Sequence, residues 1–122
     1  DKVIVFYSMG SIVHVDWVGM RRFIVAIDET GPDCRLELNK EELLIYDCWT
    51  KPSMRGRGHY TAALKKIPIF LGYTGSNIWI YCVERNKASR HAIEKAGFRR
   101  VAKFTRKVRV NRVLDSAVIK YS

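Results

Sequence analysis

The chain has 122 residues, 48% of them apolar, and a formal net charge of +10. This is enough for one compact domain with a core, spanning residues 1–122. No apolar run approaches the ~20 residues that a membrane-spanning helix needs, and no signal peptide is recognisable. The three cysteines are widely spaced and form no Cys-x-x-Cys pair. They predict reduced thiols of a cytoplasmic protein rather than disulfides or a zinc site.

The positive charge is concentrated in the second half of the chain. Residues 1–61 hold 8 Lys and Arg against 9 Asp and Glu, whereas residues 62–122 hold 14 against 3. This asymmetry predicts an anionic partner for the second half: a phosphate-bearing cofactor, an acidic substrate or nucleic acid. The alternative is a solvated basic surface.

The first half of the chain is typical of β-structure. Residues 2–8 and 11–18 are joined by Met9-Gly10 and predict a hairpin. A further strand is predicted at 22–27, and a strong one at 42–49, where Lys51-Pro52 ends it.

The second half alternates helices and strands. A helix is predicted from 57 to 67, and Pro68 is expected to break or kink it. A second helix is predicted at about 87–96, with Asn86 as N-cap and Gly97 just after its end. Strands at 78–83, 99–113 and 116–121 complete the predicted elements.

A glycine-rich basic turn, Arg55-Gly56-Arg57-Gly58-His59-Tyr60, lies between the strand at 42–49 and the helix that follows. The first N–H groups of a helix have no internal partner, and the helix dipole adds positive charge there. Glycine allows close approach of the backbone to an anion. The turn therefore predicts a phosphate cradle, although such turns are also common as solvated loops.

Two segments together resemble the GNAT superfamily of acyl-CoA-dependent N-acyltransferases. The stretch 51–58, Lys-Pro-Ser-Met-Arg-Gly-Arg-Gly, is similar to the Arg/Gln-x-x-Gly-x-Gly/Ala cofactor motif of that family. The stretch 86–98 is similar to its Asn-x-x-Ala/Ser…Glu-Lys-x-Gly-Phe segment. The resemblance covers roughly residues 40–110.

The resemblance implies an α/β (α+β) fold: a mixed, mostly antiparallel twisted sheet with at least two helices. The strands at 42–49 and 78–83 would be a parallel pair that splays apart. We expect a single domain that lacks the usual N-terminal strand and two helices of the family.

The implied co-substrate is acetyl-CoA or another acyl-CoA, with no metal. Its pyrophosphate would lie on the amides of residues 57–60, and its pantetheine arm along the strand edge at Trp49 and Thr50. The cofactor-binding residues implied by the resemblance are Trp49, Thr50, Arg55, Gly56, Arg57, Gly58, His59, Tyr60, Asn86 and Ser89.

The sequence departs from the family pattern at three positions. Tyr60 replaces the last Gly/Ala of the cofactor motif. Ile93 occupies a position where a Tyr often serves as general acid. Tyr81 replaces an acidic residue that some members carry. The general base is therefore open.

Asp47 is the first candidate for the general base, since it shares a predicted strand face with Trp49 and burial would raise its pKa. Its alternative role is to cap the loop at 51–53. Glu84 is a second candidate for the base. Tyr81 and Tyr46 are candidate proton donors, or tyrosines of the core and its rim.

Two histidines and one cysteine are expected to take no part in the chemistry. His14 is predicted to be a surface strand residue, and His91 to lie on the solvated face of the second helix. Cys48 is expected to be a buried, inert thiol.

The sequence favours transfer of an acyl group, most simply acetyl, to an amine on a small molecule or sugar. A basic nucleic-acid-binding module is an alternative, but few aromatics alternate with the basic residues of 99–112. A domain that binds CoA without turnover is another. Open sheet edges are compatible with a homodimer.

Overall fold

The computed structural model describes residues 2–19, 23–25, 34–36, 38, 40–73, 77–83, 86–108 and 112–121. Within these ranges the side chains of 23–25, 34–36, 83, 101–108 and 112–121 are not described. Glu84 therefore lies outside the described residues. In chain order the elements are β1 (Lys2–Ser8), β2 (Ser11–Gly19), β3 (Phe23–Val25), β4 (Cys34–Leu36), β5 (Leu43–Thr50), a 3-10 turn (Pro52–Met54), α1 (His59–Leu71), β6 (Ile78–Val83), α2 (Lys87–Lys95), β7 (Phe98–Val108) and β8 (Arg112–Tyr121).

Six strands form one mixed sheet in the order β1-β2-β5-β6-β8-β7, and β3 pairs with β4 separately. Every neighbouring pair in the main sheet is antiparallel except β5 and β6, which are parallel. With the two helices, this confirms the predicted α+β class and its mostly antiparallel sheet.

The hairpin predicted around Met9-Gly10 is confirmed. Both turn residues have positive φ, 51° for Met9 and 78° for Gly10. A two-residue turn of this kind matches the right-handed twist of the flanking strands. It sets the register in which Ser8 lies opposite Ser11.

The core lies where the two helices pack on the central strands. Helix α1 contacts β2 and β5, while α2 contacts β6 and β7. Strand β5 begins with three consecutive fully buried residues, as expected of a strand covered on both faces. The main core cluster comprises Val18, Leu43, Ile45, Leu64, Ile67, Ile78, Ile80, Cys82, Ile93, Ala96 and Phe98.

Helix α1 differs from its prediction at both ends. It begins at His59 and continues through Pro68 to Leu71, so of the break or kink predicted at Pro68 the break is wrong. Proline removes a single hydrogen bond, and Pro68 is buried beside Ile67. Gly72, with φ 74°, ends the helix in the left-handed conformation.

The end of the chain also differs from its prediction. The long strand expected over 99–113 is two strands, since β7 ends at Val108 and β8 begins at Arg112. The last strand is therefore longer than the predicted 116–121. The sequence contains no glycine or proline between residues 98 and 122 that would have indicated the boundary.

Strands β5 and β6 splay apart after a short region of pairing. They pair from Leu43 with Ile78 to Ile45 with Ile80, and β5 then continues to Thr50 beside β2. The predicted divergence of this parallel pair is confirmed.

The splay begins at a β-bulge in β5. The register between β2 and β5 shifts so that Asp47 and Cys48 lie opposite the single residue Asp16. Asp47 has φ 47°, which is the left-handed region. A bulge bends its strand and increases the local twist, which turns the end of β5 away from β6.

Candidate functional site

A cleft of about 630 Å³ opens where β5 leaves β6. Its walls come from the end of β5, the turn after it, the start of α1 and one face of α2. The lining residues are Cys48, Thr50, Arg55, Gly56, Gly58, His59, Tyr60, Thr61, Asn86, Ala88, Ser89, His91, Ala92 and Lys95. The cleft thus brings together eight of the ten cofactor residues that the resemblance implied; Trp49 and Arg57 do not line it.

The N-terminus of α1 faces this cleft with open backbone donors. Gly58 is its N-cap, with φ 79°, and no side chain caps this end. The carbonyl of Gly58 accepts a hydrogen bond from the Ala62 N–H at 3.0 Å. The N–H groups before Ala62 have no partner within the helix, and the first turn contains no acidic residue that would compete with an anion.

Basic side chains line two sides of the cleft. Arg55 donates from Nε to the Thr50 carbonyl at 3.0 Å, which ties the turn to the end of β5. His59 lies at the start of α1, and His91 and Lys95 lie on α2. His91 is exposed, as the sequence predicted, and it also lines the cleft, whereas Lys95 was not among the predicted site residues. The spacing 88, 91, 92, 95 was the available signal, because these residues share one helix face.

The end of β5 offers its backbone to the cleft. The Lys51 N–H donates to the Val13 carbonyl at 2.9 Å. Backbone groups alternate along an antiparallel strand, so the backbone of Thr50 faces away from β2 and toward the cleft that Cys48 and Thr50 line. Thr50 therefore lies at the edge that was expected to hold the pantetheine arm, whereas Trp49 is not among the residues that line the cleft.

The two helix N-termini are joined beside the cleft. The Ser89 N–H donates to Asn86 Oδ1 at 3.1 Å, which confirms Asn86 as N-cap. The Tyr60 and Ser89 hydroxyls lie 3.3 Å apart, and the Thr61 hydroxyl donates to the Ala92 carbonyl at 3.2 Å. Burial, followed by the proximity of Cys48, raises the pKa of Tyr60, so its phenol stays neutral.

A buried polar cluster lies directly behind the cleft. His14 and Asp16 are fully buried. His14 Nε2 lies 2.9 Å from Asp16 Oδ1, and His14 Nδ1 lies 2.6 Å from Thr50 Oγ1. The prediction that His14 is a surface residue is wrong because the Tyr60 ring from α1 covers it, at a centroid distance of 5.1 Å. Asp16 was not among the predicted site residues. The only pattern that could have indicated it is a histidine and an aspartate two residues apart in an otherwise apolar strand.

The predicted general base does not have the environment that was expected. Asp47 is exposed because the bulge interrupts the alternation that was assumed to place it beside Trp49 on a buried face. Tyr81 is half-buried, and burial, followed by the charge of Asp47, raises its pKa. Burial and Asp47 also raise the pKa of Tyr46. Both phenols are therefore protonated at neutral pH.

Cys48 lines the cleft but is predicted to be a poor nucleophile. Burial, followed by the charge of Asp16, raises its pKa well above the usual range. Because the thiolate is the reactive form, we expect slow alkylation at pH 7 that accelerates at alkaline pH. Iodoacetamide labelling of a Cys34→Ala variant measures this, and Cys48→Ala in the same background assigns the signal. Rapid labelling of Cys48 at pH 7 would contradict it.

The described residues include no cluster of three or more His, Cys, Asp or Glu side chains that could hold a metal ion. None of their helices is long and apolar enough to cross a membrane.

Comparison with known proteins gives matches among solved structures only. No protein-family profile and no curated sequence matches the chain. An acetyltransferase of the GNAT family from Streptococcus pneumoniae matches 96% of this chain with a TM-score of 0.67 and 12% identity. An N-acetyltransferase from Staphylococcus aureus Mu50 matches 96% with a TM-score of 0.67 and 17% identity. The microcin C7 self-immunity acetyltransferase MccE, in complex with acetyl-CoA and AMP, matches 96% with a TM-score of 0.63 and 20% identity.

The chain spans 63%, 64% and 58% of the length of these three proteins, respectively. At such identities the likeness is one of fold. The mixed sheet with its splayed parallel pair, the helix N-terminus in the gap and these matches lead to one conclusion: the chain has the GNAT acetyltransferase fold.

Proposed function

We propose that this domain transfers an acyl group, most simply acetyl, from its CoA thioester to an amine. The observation that carries the proposal is the cleft, in which an uncapped helix N-terminus, basic side chains and an open strand edge meet. A small-molecule or sugar amine is the proposed acceptor. The free thiols of Cys48 and Cys82 are compatible with a reducing, cytoplasmic compartment.

The residues of the cleft fit the two polar parts of CoA. A diphosphate requires N–H donors and cations: the start of α1 supplies backbone N–H groups, Arg55 and Lys95 supply positive charge, and the imidazole rings of His59 and His91 line the same cleft. The amides of the pantetheine arm require an extended edge, which Cys48 and Thr50 offer. Each contact at a helix terminus contributes only about 0.3–1 kcal/mol, so affinity depends on many contacts together with burial of the arm.

CoA would supply an acyl group activated as a thioester, and the protein would orient the amine and manage its proton. Tyr81, a neutral phenol near Asp47 and Cys48, is the proposed donor of a proton to the leaving group.

Calorimetric titration with CoA and with pantetheine tests the cofactor assignment. We expect CoA to bind more tightly, because pantetheine lacks the diphosphate. Lys95→Gln should weaken CoA binding by about threefold to tenfold, whereas Lys66→Gln on the exposed side of α1 should leave it unchanged. Equal binding of both compounds, or no binding of CoA, would remove the proposal.

Two alternative functions can be distinguished from acyl transfer by experiment. Ile93 is fully buried in the core, and isoleucine has no proton to donate; the first alternative is therefore a domain that binds CoA without turnover. Thiol release from acetyl-CoA with a panel of amines decides between that reading and transfer. Binding of RNA that weakens steeply with salt, with no response to CoA, would instead support the nucleic-acid module.

A further inference from the structure

The register of the central strands gathers aromatic side chains on one face of the sheet. Trp17 on β2 lies opposite Tyr46 on β5, and Trp79 on β6 is the partner of Leu44 on β5. Because alternate residues of a strand share a face, Leu44 and Tyr46 lie on the same side, and so do Trp79 and Tyr81. Trp17, Tyr46 and Tyr81 therefore form a row across three strands, the aromatic row.

Helices α1 and α2 pack on the other face of the sheet. Val18 and Ile45, which are neighbours of the row along β2 and β5, belong to the core cluster together with residues of both helices. Since successive side chains of a strand point to opposite faces, the aromatic row points away from the helices. Its members are accessible: Trp17 is 40% exposed, and Tyr46 and Tyr81 are half-buried.

The rings of Trp17 and Tyr46 form an apolar pair. Their centroids lie 6.3 Å apart, and their planes are inclined by 32°, which is within the range of interacting aromatic side chains. The exposed part of the indole gives a flat apolar ring a surface on which to stack. A sugar gains less from such a surface, because burying a hydroxyl group without a hydrogen-bond partner costs free energy.

Asp47 places a negative charge beside the aromatic row. It follows Tyr46 directly, it is exposed, and it lies at the bulge with φ 47°. Burial, followed by the charge of Asp47, raises the pKa of both Tyr46 and Tyr81, so the carboxylate is close to both phenols. A carboxylate accepts an N–H hydrogen bond from an ammonium group and from a neutral amine alike. One anion beside apolar rings is complementary to a flat ring that carries one amine.

The aromatic row meets the cofactor cleft at the gap between β5 and β6. The pairing of these strands ends at Ile45, so Tyr46 and Tyr81 are the first residues on either side of the gap. Burial, then Asp47 and then Cys48, raise the pKa of Tyr81, so Tyr81 lies near a residue that lines the cleft. The two faces of the sheet are therefore connected where the proposed proton donor stands.

We propose that the aromatic row and Asp47 bind the acceptor and select a primary amine carried on a flat aromatic ring. This inference rests on the proposed acyl transfer and names the class of its acceptor. The ring stacks against Trp17 and Tyr46, and Asp47 accepts an N–H hydrogen bond from the amine. A pantetheine arm that follows Thr50 and Cys48 from the start of α1 ends at the gap, beside this amine.

Calorimetric titration of the CoA-saturated protein with three amines tests the selection of a flat ring. We expect phenethylamine to bind at least about threefold more tightly than cyclohexylethylamine, which has the same amine and a similar size but no flat ring, and than glucosamine. Trp17→Leu should remove this preference, and Trp17→Phe should keep most of it. Phe70→Leu, which removes an exposed aromatic ring from α1, should leave it unchanged. Equal binding of the three amines to the wild type, or a preference retained in Trp17→Leu, would overturn the proposal.

The role of Asp47 is tested with a variant that removes its charge. Asp47→Asn should raise KM for phenethylamine by only about twofold to fivefold, because an exposed charge contributes little, and should leave KM for acetyl-CoA unchanged. Phenethyl alcohol, which keeps the ring and lacks the amine, should bind equally to the wild type and to Asp47→Asn. An unchanged KM for phenethylamine in Asp47→Asn would show that Asp47 does not bind the amine.

The failure of the acceptor assignment and that of the proposed function are distinguishable. If the wild type acetylates glucosamine as readily as phenethylamine and Trp17→Leu does the same, only the acceptor class is overturned. If phenethylamine binds with the expected preference but no amine consumes acetyl-CoA, the transfer is overturned, and the aromatic row stands as a binding site for aromatic amines.

Discussion

Asp47→Val is expected to close the gap between β5 and β6 and to weaken CoA binding. Asp47 has φ 47° at the bulge, a conformation that a β-branched residue rarely adopts. Holding valine in this conformation costs about 1–3 kcal/mol. We expect the protein either to lose this much free energy of unfolding or to relieve the strain by straightening β5, which removes the bulge. Without the bulge β5 would continue to pair with β6, where the cleft now lies. CoA affinity should fall by at least about tenfold, or 1.4 kcal/mol.

Two substitutions at the same position separate backbone from charge. Asp47→Gly accepts positive φ without strain, and Asp47→Asn keeps a residue that tolerates this region but removes the charge. Both should bind CoA like the wild type. If Asp47 is not the base, both should also keep the pH profile of transfer. Calorimetry and thermal unfolding of all three variants make the comparison, and equal CoA affinity in Asp47→Val and Asp47→Gly would contradict the role of the bulge.

Gly58→Ala is expected to weaken CoA binding out of proportion to its effect on stability. Gly58 has φ 79°, and a methyl group there would meet no protein atom within 4 Å. The left-handed conformation costs an alanine about 1–2 kcal/mol of unfolding free energy. Because Gly58 lines the cleft at the first N–H donors of α1, the methyl group should also keep an anion from the backbone. We expect a further loss of about tenfold in CoA affinity.

Gly10→Ala is the matched control for strain. Gly10 has φ 78° with nothing within 4 Å of an added methyl group, and it lies in the β1–β2 turn. Chemical denaturation should therefore give similar losses of stability for the two variants. Calorimetry should show a loss of CoA affinity for Gly58→Ala alone. A similar affinity in both variants would mean that α1 does not bind the phosphates through this turn.

Local sequence signals were sufficient for the elements that form the cleft. The apolar run of β5, the stop at Lys51-Pro52, the glycines of the turn and the Asn86 cap each act within a few residues. The structures that these signals produce were therefore predictable. The proximity of the glycine-rich turn to α2 was predictable as well, because the sequence resembles a known fold.

Features that depend on distant partners were not predictable. The bulge at Asp47 arises where β5 runs beside β2 and lies opposite Asp16, 31 positions earlier in the chain. The burial of His14 requires α1 to place Tyr60 over it, which alternation along β2 alone does not reveal. The passage of α1 through Pro68 likewise depends on tertiary packing, which can outweigh the loss of one backbone hydrogen bond.

The short pairing of β5 with β6 divides the sheet into two three-stranded units, β1-β2-β5 and β6-β8-β7, joined at three residue pairs. The proposed ligand would lie along this seam and touch both units, since the end of β5 belongs to one and α2 packs on the other. A bound ligand would then couple the two units mechanically. We therefore expect the two units to unfold one after the other in the ligand-free protein and together in the ligand-bound protein.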